Sequence, residues 1–522
     1  MSVFRDLETS FAVVCFLFVI AIVSRNLRTG RRAFLLPPGP MRLPLLGNVH
    51  QLPSTFQHKT FKQWAAKYGD IFYLEVFHKP AIVINSAQMA RDLMEKRGSK
   101  YSDRPRTVIF TELMGLEHTA TLLHYGDRWR LHRKWLQTAF HAQTTQRDYQ
   151  LLQQRSVQRL LSTLLDSPGN FNAHIKKFAG AIMMEVTYGH RVVPGVDDGF
   201  IEWADDVITR IFETGSPGAS LIDFFPILKY IPGWVPWAEV QRKASRMRPE
   251  IQQLHDVPYE RVKNAMNAGS ARTSFLASLI DKVSVDGEMT EDDMLNLKGV
   301  AGVVYLAGVD TTVTVMLNFV LAMVLHPEVY AKAQAEIDRV VGQSRLPDFD
   351  DRLSMPYLEC VLKEVYRWAS PTPFAVPHRV TDDDEYLGYH IPAGCVIMPN
   401  IWAMTRDPAI YPDPDSFIPE RFANLDADTS SKLDPTKLIF GFGRRICPGR
   451  TFADSTVWLF ITNIMSTMDI CKARDGSGKE ITPEPVFIDG SVVHLAPFEC
   501  DIRPRSKKAE EIVMLANAAS PL

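Results

Sequence analysis

Apolar and polar positions sort the chain into a few kinds of stretch. From Phe11 to Val23 every residue is apolar, and Thr9, Ser10 and Ser24 extend the uncharged run. The run is slightly short of the ~20 residues that cross a bilayer comfortably. It is a retained anchor or the core of a cleaved signal. Arg5, Asp6 and Glu8 lead it, and Arg25, Arg28, Arg31 and Arg32 trail it. Positive charge on the trailing side favours an anchor with that side in the cytosol. We therefore assign 1–32 as a membrane anchor, spanning at 9–24, and 33–44 as a proline-rich hinge. There LLPPGP (Leu35–Pro40) cannot continue a helix.

Further on, Ile71–Val76 and Pro80–Asn85 are short β-enriched runs either side of a break, which predicts a hairpin. Helical periodicity dominates the rest. The longest such pattern opens at Thr290, where Thr290 and Asp293 form a capping box, and runs to His326, where Pro327 ends it. Its middle is apolar nearly all round, so it crosses the centre of a large core or a membrane. Asp310, Thr311 and Thr312 interrupt that middle beside Gly302 and Gly308. A buried acid next to a hydroxyl is costly unless satisfied or used. The stretch Gly215–Trp237 is rich in proline and aromatic residues. It reads equally as a buried loop and as a surface dipping into lipid.

Composition narrows the class. The chain has 522 residues, 46% hydrophobic and 23% charged, as globular proteins do. A net charge of −2 offers no global field for nucleic acid. The six cysteines (15, 360, 395, 447, 471 and 500) include no C-x-x-C pair, which argues against a disulfide framework or zinc ribbon. No repeat or linker divides the body.

One cysteine stands in special company. Phe440–Gly449 reads FGFGRRICPG, and a helical pattern follows at once. Cys447 is expected at a helix N-terminus with Pro448 in the first turn, where the macrodipole, Arg444 and Arg445 favour a thiolate. The loop F-x-x-G-x-R-x-C-x-G, at Phe440, Gly443, Arg445, Cys447 and Gly449, resembles the haem-binding loop of cytochrome P-450 monooxygenases. Four further motifs follow the family's order and spacing: W-x-x-x-R at Trp129 and Arg133, AGVDTT at Ala307–Thr312, E-x-x-R at Glu364 and Arg367, and PERF at Pro419–Phe422 with Arg421. PTPFAVPHR (Pro371–Arg379) matches the segment between the last two. The resemblance covers Pro37 to about Arg505, and the layout looks most like microsomal, fungal secondary-metabolism members.

The resemblance implies a mainly α fold with a smaller β-rich portion: a single domain at 45–505, an N-terminal transmembrane helix, and a tail at 506–522. It implies haem b (iron protoporphyrin IX) with Cys447 as axial ligand, Gly443 and Gly449 letting backbone N–H groups approach the sulfur, and Phe440 shielding that side of the ring. Arg104, Trp129, Arg133, His378 and Arg445 would hold the propionates. Glu364, Arg367 and Arg421 would form a structural network. Asp310 and Thr311 would manage protons for dioxygen cleavage, with Thr312 the weaker candidate. The pocket is expected from 107–123, Phe212, Phe224–Phe225, 300–309, 372–376 and 490–494, with Ala307 and Gly308 keeping the ring face open and Phe374 and Val376 as further lining.

The implied activity is insertion of one atom of O2 into a hydrophobic small molecule such as a terpenoid, sterol, polyketide or arene. Electrons would come from NADPH through a separate cytochrome P-450 reductase, with cytochrome b5 as an optional second donor. No G-x-G-x-x-G follows a strand to hold a nucleotide in this chain. The implied location is the endoplasmic reticulum membrane, single-pass, with the catalytic body in the cytosol. Two rivals stand beside this reading: a rearranging haem enzyme that needs no reductase, which the Asp310–Thr311 pair argues against, and a haem or sterol carrier without turnover.

Overall fold

The computed structural model describes residues 35–519, apart from 142, 194, 215–219, 232–233, 236–237 and 286–287. The anchor expected at 1–32 lies outside them. The hinge is held fast where it is described: Pro38 accepts from the Tyr73 N–H at 2.9 Å and Leu35 from the His390 N–H at 2.8 Å. Gly39 is required there, because a Cβ would lie 2.1 Å from the Tyr73 carbonyl oxygen.

After helix α1 (Gln57–Tyr68) come β1 (Ile71–Val76) and β2 (Lys79–Ile84), the expected hairpin with its second strand one residue earlier than read. Its register pairs Tyr73 with Ile82 and Val76 with Lys79. Phe77 turns the corner at φ 54°. Helices then accumulate: α2 (Asp127–His141), α3 (Gln143–Asp166), α4 (Phe171–Tyr188), α5 (Asp198–Glu213) and α6 (Glu239–Asn267). The long α7 (Glu291–Leu325) and α8 (Pro356–Trp368) follow. Strands β3 (His378–Arg379) and β4 (Val396–Pro399) join the hairpin in a sheet ordered β1-β2-β4-β3, with β2 and β4 parallel. The chain closes with α9 (Arg450–Thr467), β5 (Met468–Arg474), β6 (Phe487–Ile488), β7 (His494–Leu495), β8 (Cys500–Pro504) and α10 (Lys507–Ala519). At 58% helix with a smaller strand portion, this is the fold class expected.

Helix α7 organises the body. Thr290 caps it, its side chain accepting from the Asp293 N–H while Asp293 returns the bond to the Thr290 N–H. Thirty-five residues at ~1.5 Å each make a rod of about 52 Å. Among the described residues it is the one helix long and apolar enough to cross a membrane, but it is buried on nearly every side. Its apolar surface is therefore core: α4, α6 and α9 pack around it. Helix α10, in the segment read as a tail, packs on α3 through buried Ala509 and Val513.

Candidate active site

The cysteine loop is shaped by its glycines. Gly443 lies at φ 59°, and a Cβ there would sit 1.9 Å from the Met94 carbonyl oxygen. Its role is close packing against 94–95, and Gly449 is the glycine that serves the sulfur. The Gly449 N–H donates to Cys447 Sγ, and Gly449 caps α9. Pro448 thus lies one residue before the cap, outside the first turn. The Cys447 N–H donates to the Phe440 carbonyl at 2.8 Å, closing the loop, and the Phe440 ring meets Tyr366 edge-on. Burial pushes the Cys447 thiol up, against the pull of the Gly449 N–H, Arg133 and Arg450. The protein alone does not stabilise the thiolate that the sequence suggested; a cation on the sulfur would.

Around this loop the fold gathers positive charge without neutralising it. Arg445 donates to the carbonyls of Ser102, Ala120 and Leu123 at 2.8, 3.1 and 2.7 Å. Its guanidinium lies 4.5 Å over the Trp129 ring. Arg104 donates to Thr121, Val376 and Pro377 carbonyls. Arg133 donates to the Ile446 carbonyl, while its Nε is buried with no partner among the described residues. The His378 Nδ1 lies 2.6 Å from the Tyr101 carbonyl. Among the described residues none of the three arginines is in an ion pair. The nearby acid, Asp103, is taken up by Arg379 and His124. Burial lowers Arg445 to about 9 and drives His378, beside Arg104 and Arg445, well below the ordinary histidine range. Buried cations that meet only carbonyls are costly. A group carrying carboxylates would relieve Arg104, Arg133 and Arg445 together and, by its charge, draw a proton onto His378. The residues present therefore fit a dianionic group ligated through Cys447.

Helix α7 shows a break in its burial. Ala307, Gly308 and Thr311 keep accessible surface in a helix whose middle is otherwise almost wholly buried. The Thr311 hydroxyl donates to the Ala307 carbonyl at 2.7 Å, leaving its lone pairs to accept from water. Thr312 is buried. A Cβ at Gly308 would meet the tip of Met183 on α4 at 2.5 Å.

Asp310 is 6% exposed, and His494 Nε2 lies 2.9 and 3.0 Å from its two carboxylate oxygens. Burial raises the Asp310 carboxyl, and His494 opposes this. Burial would lower His494, but the hydrogen bond and charge of Asp310 outweigh it and raise the imidazole. The sequence reading placed 490–494 in the pocket wall but gave His494 no role. The two residues lie 184 positions apart, and no local pattern could join them.

Other expectations scatter. Phe374 packs in the cluster under the β1–β2 sheet, its ring 5.6 Å from Phe61 and 6.0 Å from His58. Val376 stays partly exposed and gives its carbonyl to Arg104. Ala375 beside it sits at φ 51°, a strained backbone no sequence signal announced. Phe224 packs on Phe77 at the hairpin tip. The Glu364 network assembles as expected. Glu364 accepts two bonds from Arg367 at 2.7 Å each, one from Arg421 at 3.2 Å and one from the Ile418 N–H at 2.7 Å.

The family model for cytochrome P450 matches residues 37–494. The chain is 46% identical over 513 residues to cytochrome P450 monooxygenase 176 of Postia placenta, covering 98% of each chain. It is 44% identical over 483 residues to monooxygenase 136 of the same fungus, covering 92% of this chain and 91% of that one. It is 38% identical over 483 residues to cytochrome P450 monooxygenase claR of Ampulloclitocybe clavipes, covering 92% and 88%.

Proposed function

The chain belongs to the cytochrome P450 family and is a monooxygenase; from that premise we propose that it is a membrane-bound haem-thiolate enzyme that inserts one oxygen atom into a hydrophobic secondary metabolite. NADPH would supply the electrons through a separate reductase, with cytochrome b5 as an optional donor. The observation that carries this reading is the set of arginines with no ion-pair partner among the described residues, Arg104, Arg133 and Arg445, gathered beside His378 and Cys447.

When bound there through Cys447, haem b supplies the dioxygen-activating chemistry. The chain supplies the rest. Gly449 donates to the sulfur and tempers its basicity. The Trp129 indole and the buried arginines hold the propionates. Thr311 orients a water against the open strip of α7, and Asp310, an acid linked to solvent, resupplies its proton. The mostly apolar walls at 107–123 and 300–309 select for an apolar substrate and keep bulk water out.

Exposed apolar side chains support the membrane location. Leu221, Phe225, Ile227, Tyr230 and Trp234 are 57%, 37%, 71%, 72% and 81% exposed. Phe225 packs on Phe77, whose N–H donates to the Leu46 carbonyl, and Met41, Leu43, Leu45 and Leu46 are exposed too. That apolar surface adjoins the hinge that follows the anchor, which suits a body resting on the endoplasmic reticulum membrane.

The test is reconstitution with reductase, NADPH and a panel of terpenoids, sterols and polyketides under isotopically labelled dioxygen. One labelled oxygen per product molecule, dependent on both NADPH and reductase, is expected. Product formed without reductase would mean a rearranging enzyme. Substrate binding with no product across the panel would mean a carrier.

A further inference from the structure

Asp310 has one protein partner for its two carboxylate oxygens among the described residues, the Nε2 of His494. His494 is 16% exposed, so it stands between the acid and the surface. Its other ring nitrogen, Nδ1, is buried and meets no protein partner among the described residues. A buried polar atom in that state calls for water. The turn that carries the ring is also firmly held. Ser491 donates through both N–H and Oγ to the Phe212 carbonyl at 3.1 Å, and the Val493 N–H donates to Pro371 at 2.8 Å. The turn before β7 is thereby clamped to the end of α5 and to the segment before β3.

We propose that His494 is the relay through which protons from solvent reach Asp310, a positioning residue for the proton supply rather than a catalytic one. The proposal rests on the monooxygenase reading and adds to it the route of the proton. In the step, His494 Nε2–H gives its proton to the Asp310 carboxylate as Asp310 passes one inward. The neutral ring left behind exchanges its remaining proton from Nδ1 to Nε2 through water and takes a new proton at Nδ1, so each proton delivered inward is replaced by one taken from solvent and no electrons move. An imidazole suits this because it can take a proton at one nitrogen and release it at the other.

The charged groups that face the pair define the outer end of the route. Lys176 on α4 and Asp205 on α5 form an ion pair at 2.8 Å, and exposed Glu213 ends α5. Asp205 and Lys176 act on Asp310 in opposite senses, and Glu213 and Lys176 do the same on His494. The pair titrates as a unit. It keeps its transferable proton below the raised value of the imidazole and loses it as pH climbs through that value.

The experiment uses the full-length, membrane-embedded holoenzyme with reductase and a confirmed substrate. Product per NADPH is followed against pH for the wild type, His494→Gln, Asp310→Asn and Thr311→Ala. The reaction of His494 with diethyl pyrocarbonate, which attacks neutral imidazole, is read by mass spectrometry. Gln keeps a hydrogen bond but has no titratable proton to pass on. His494→Gln should therefore keep haem content and substrate affinity, lose about tenfold in coupling because water only partly substitutes, and lose the wild-type fall of coupling with rising pH. His494 should resist labelling to higher pH than the exposed histidines, and Asp310→Asn should remove that protection. Wild-type coupling and pH profile in His494→Gln, with coupling lost in Asp310→Asn, would overturn the relay and leave the monooxygenase reading intact. Labelling of His494 like an exposed histidine in both proteins would also overturn it. Unchanged coupling in both Asp310→Asn and Thr311→Ala would bring down the wider proton assignment.

Discussion

Removing the Glu364 carboxylate should cost this protein a large part of its stability. Glu364 and Arg367 are both fully buried. Three of the carboxylate's four bonds come from guanidinium groups. Arg367 spends its other donors on the carbonyls of Thr405, Pro414 and Ser416, and Arg421 reaches Pro412 at 2.7 Å. The network thus ties α8 to the irregular chain at 405–421, which precedes the cysteine loop. In Glu364→Ala the Arg367 charge would remain buried with no counter-ion, at about 3–5 kcal/mol. The orphaned Ile418 N–H would add on the order of 1 kcal/mol. Against a typical total of roughly 5–15 kcal/mol, that leaves little folded protein. Glu364→Gln keeps the shape but points an amide N–H₂ at a guanidinium, so it should recover only part of the loss. Arg421→Gln, at the rim of the pair, should cost about 1–2 kcal/mol. The urea midpoint and yield of haem-loaded protein rank the variants. A Glu364→Gln protein within about 1 kcal/mol of wild type would refute the reasoning, since it would mean the buried charge needs no carboxylate.

Gly443→Ala should abolish haem loading while Gly441→Ala, with open space at its Cβ, costs only the ~1 kcal/mol of a positive-φ alanine; comparable haem content in the two would contradict the packing against Met94. Thr311→Ala should spare haem content and substrate binding yet lower product per NADPH about tenfold, with Thr312→Ala doing much less; peroxide and product measured in one reaction decide which threonine matters. Deleting residues 1–30 should release part of the protein from membranes with haem retained, and adding Ile227→Ser and Trp234→Ser should release most of the rest, as flotation would show.

Much of the fold was legible because its signals are local. The capping box at Thr290 and Asp293 and the stop at Pro327 bounded α7 within a residue at each end. Alternating β-rich runs gave the hairpin, with an error of one at Lys79 because proline at the strand's second position looked like its start. The cysteine loop was legible because three glycines and a proline stand within a few positions of one cysteine. What escaped is long-range. Gly443 answers to a carbonyl at Met94, Gly308 to Met183 and Phe374 to Phe61. The partner of Asp310 arrives from a turn near the C-terminus. Sequence motifs named the acid, but packing alone could name the base beside it.

The central claim is that Cys447 carries the iron of a haem-thiolate monooxygenase. The most direct measurement is the absorption spectrum of the reduced, carbon monoxide-treated protein, wild type beside Cys447→Ser and Cys360→Ser. Wild type and Cys360→Ser should both show the strongly red-shifted band of thiolate ligation, and Cys447→Ser should lack it. The same band in Cys447→Ser, or its loss in Cys360→Ser alone, would contradict the account.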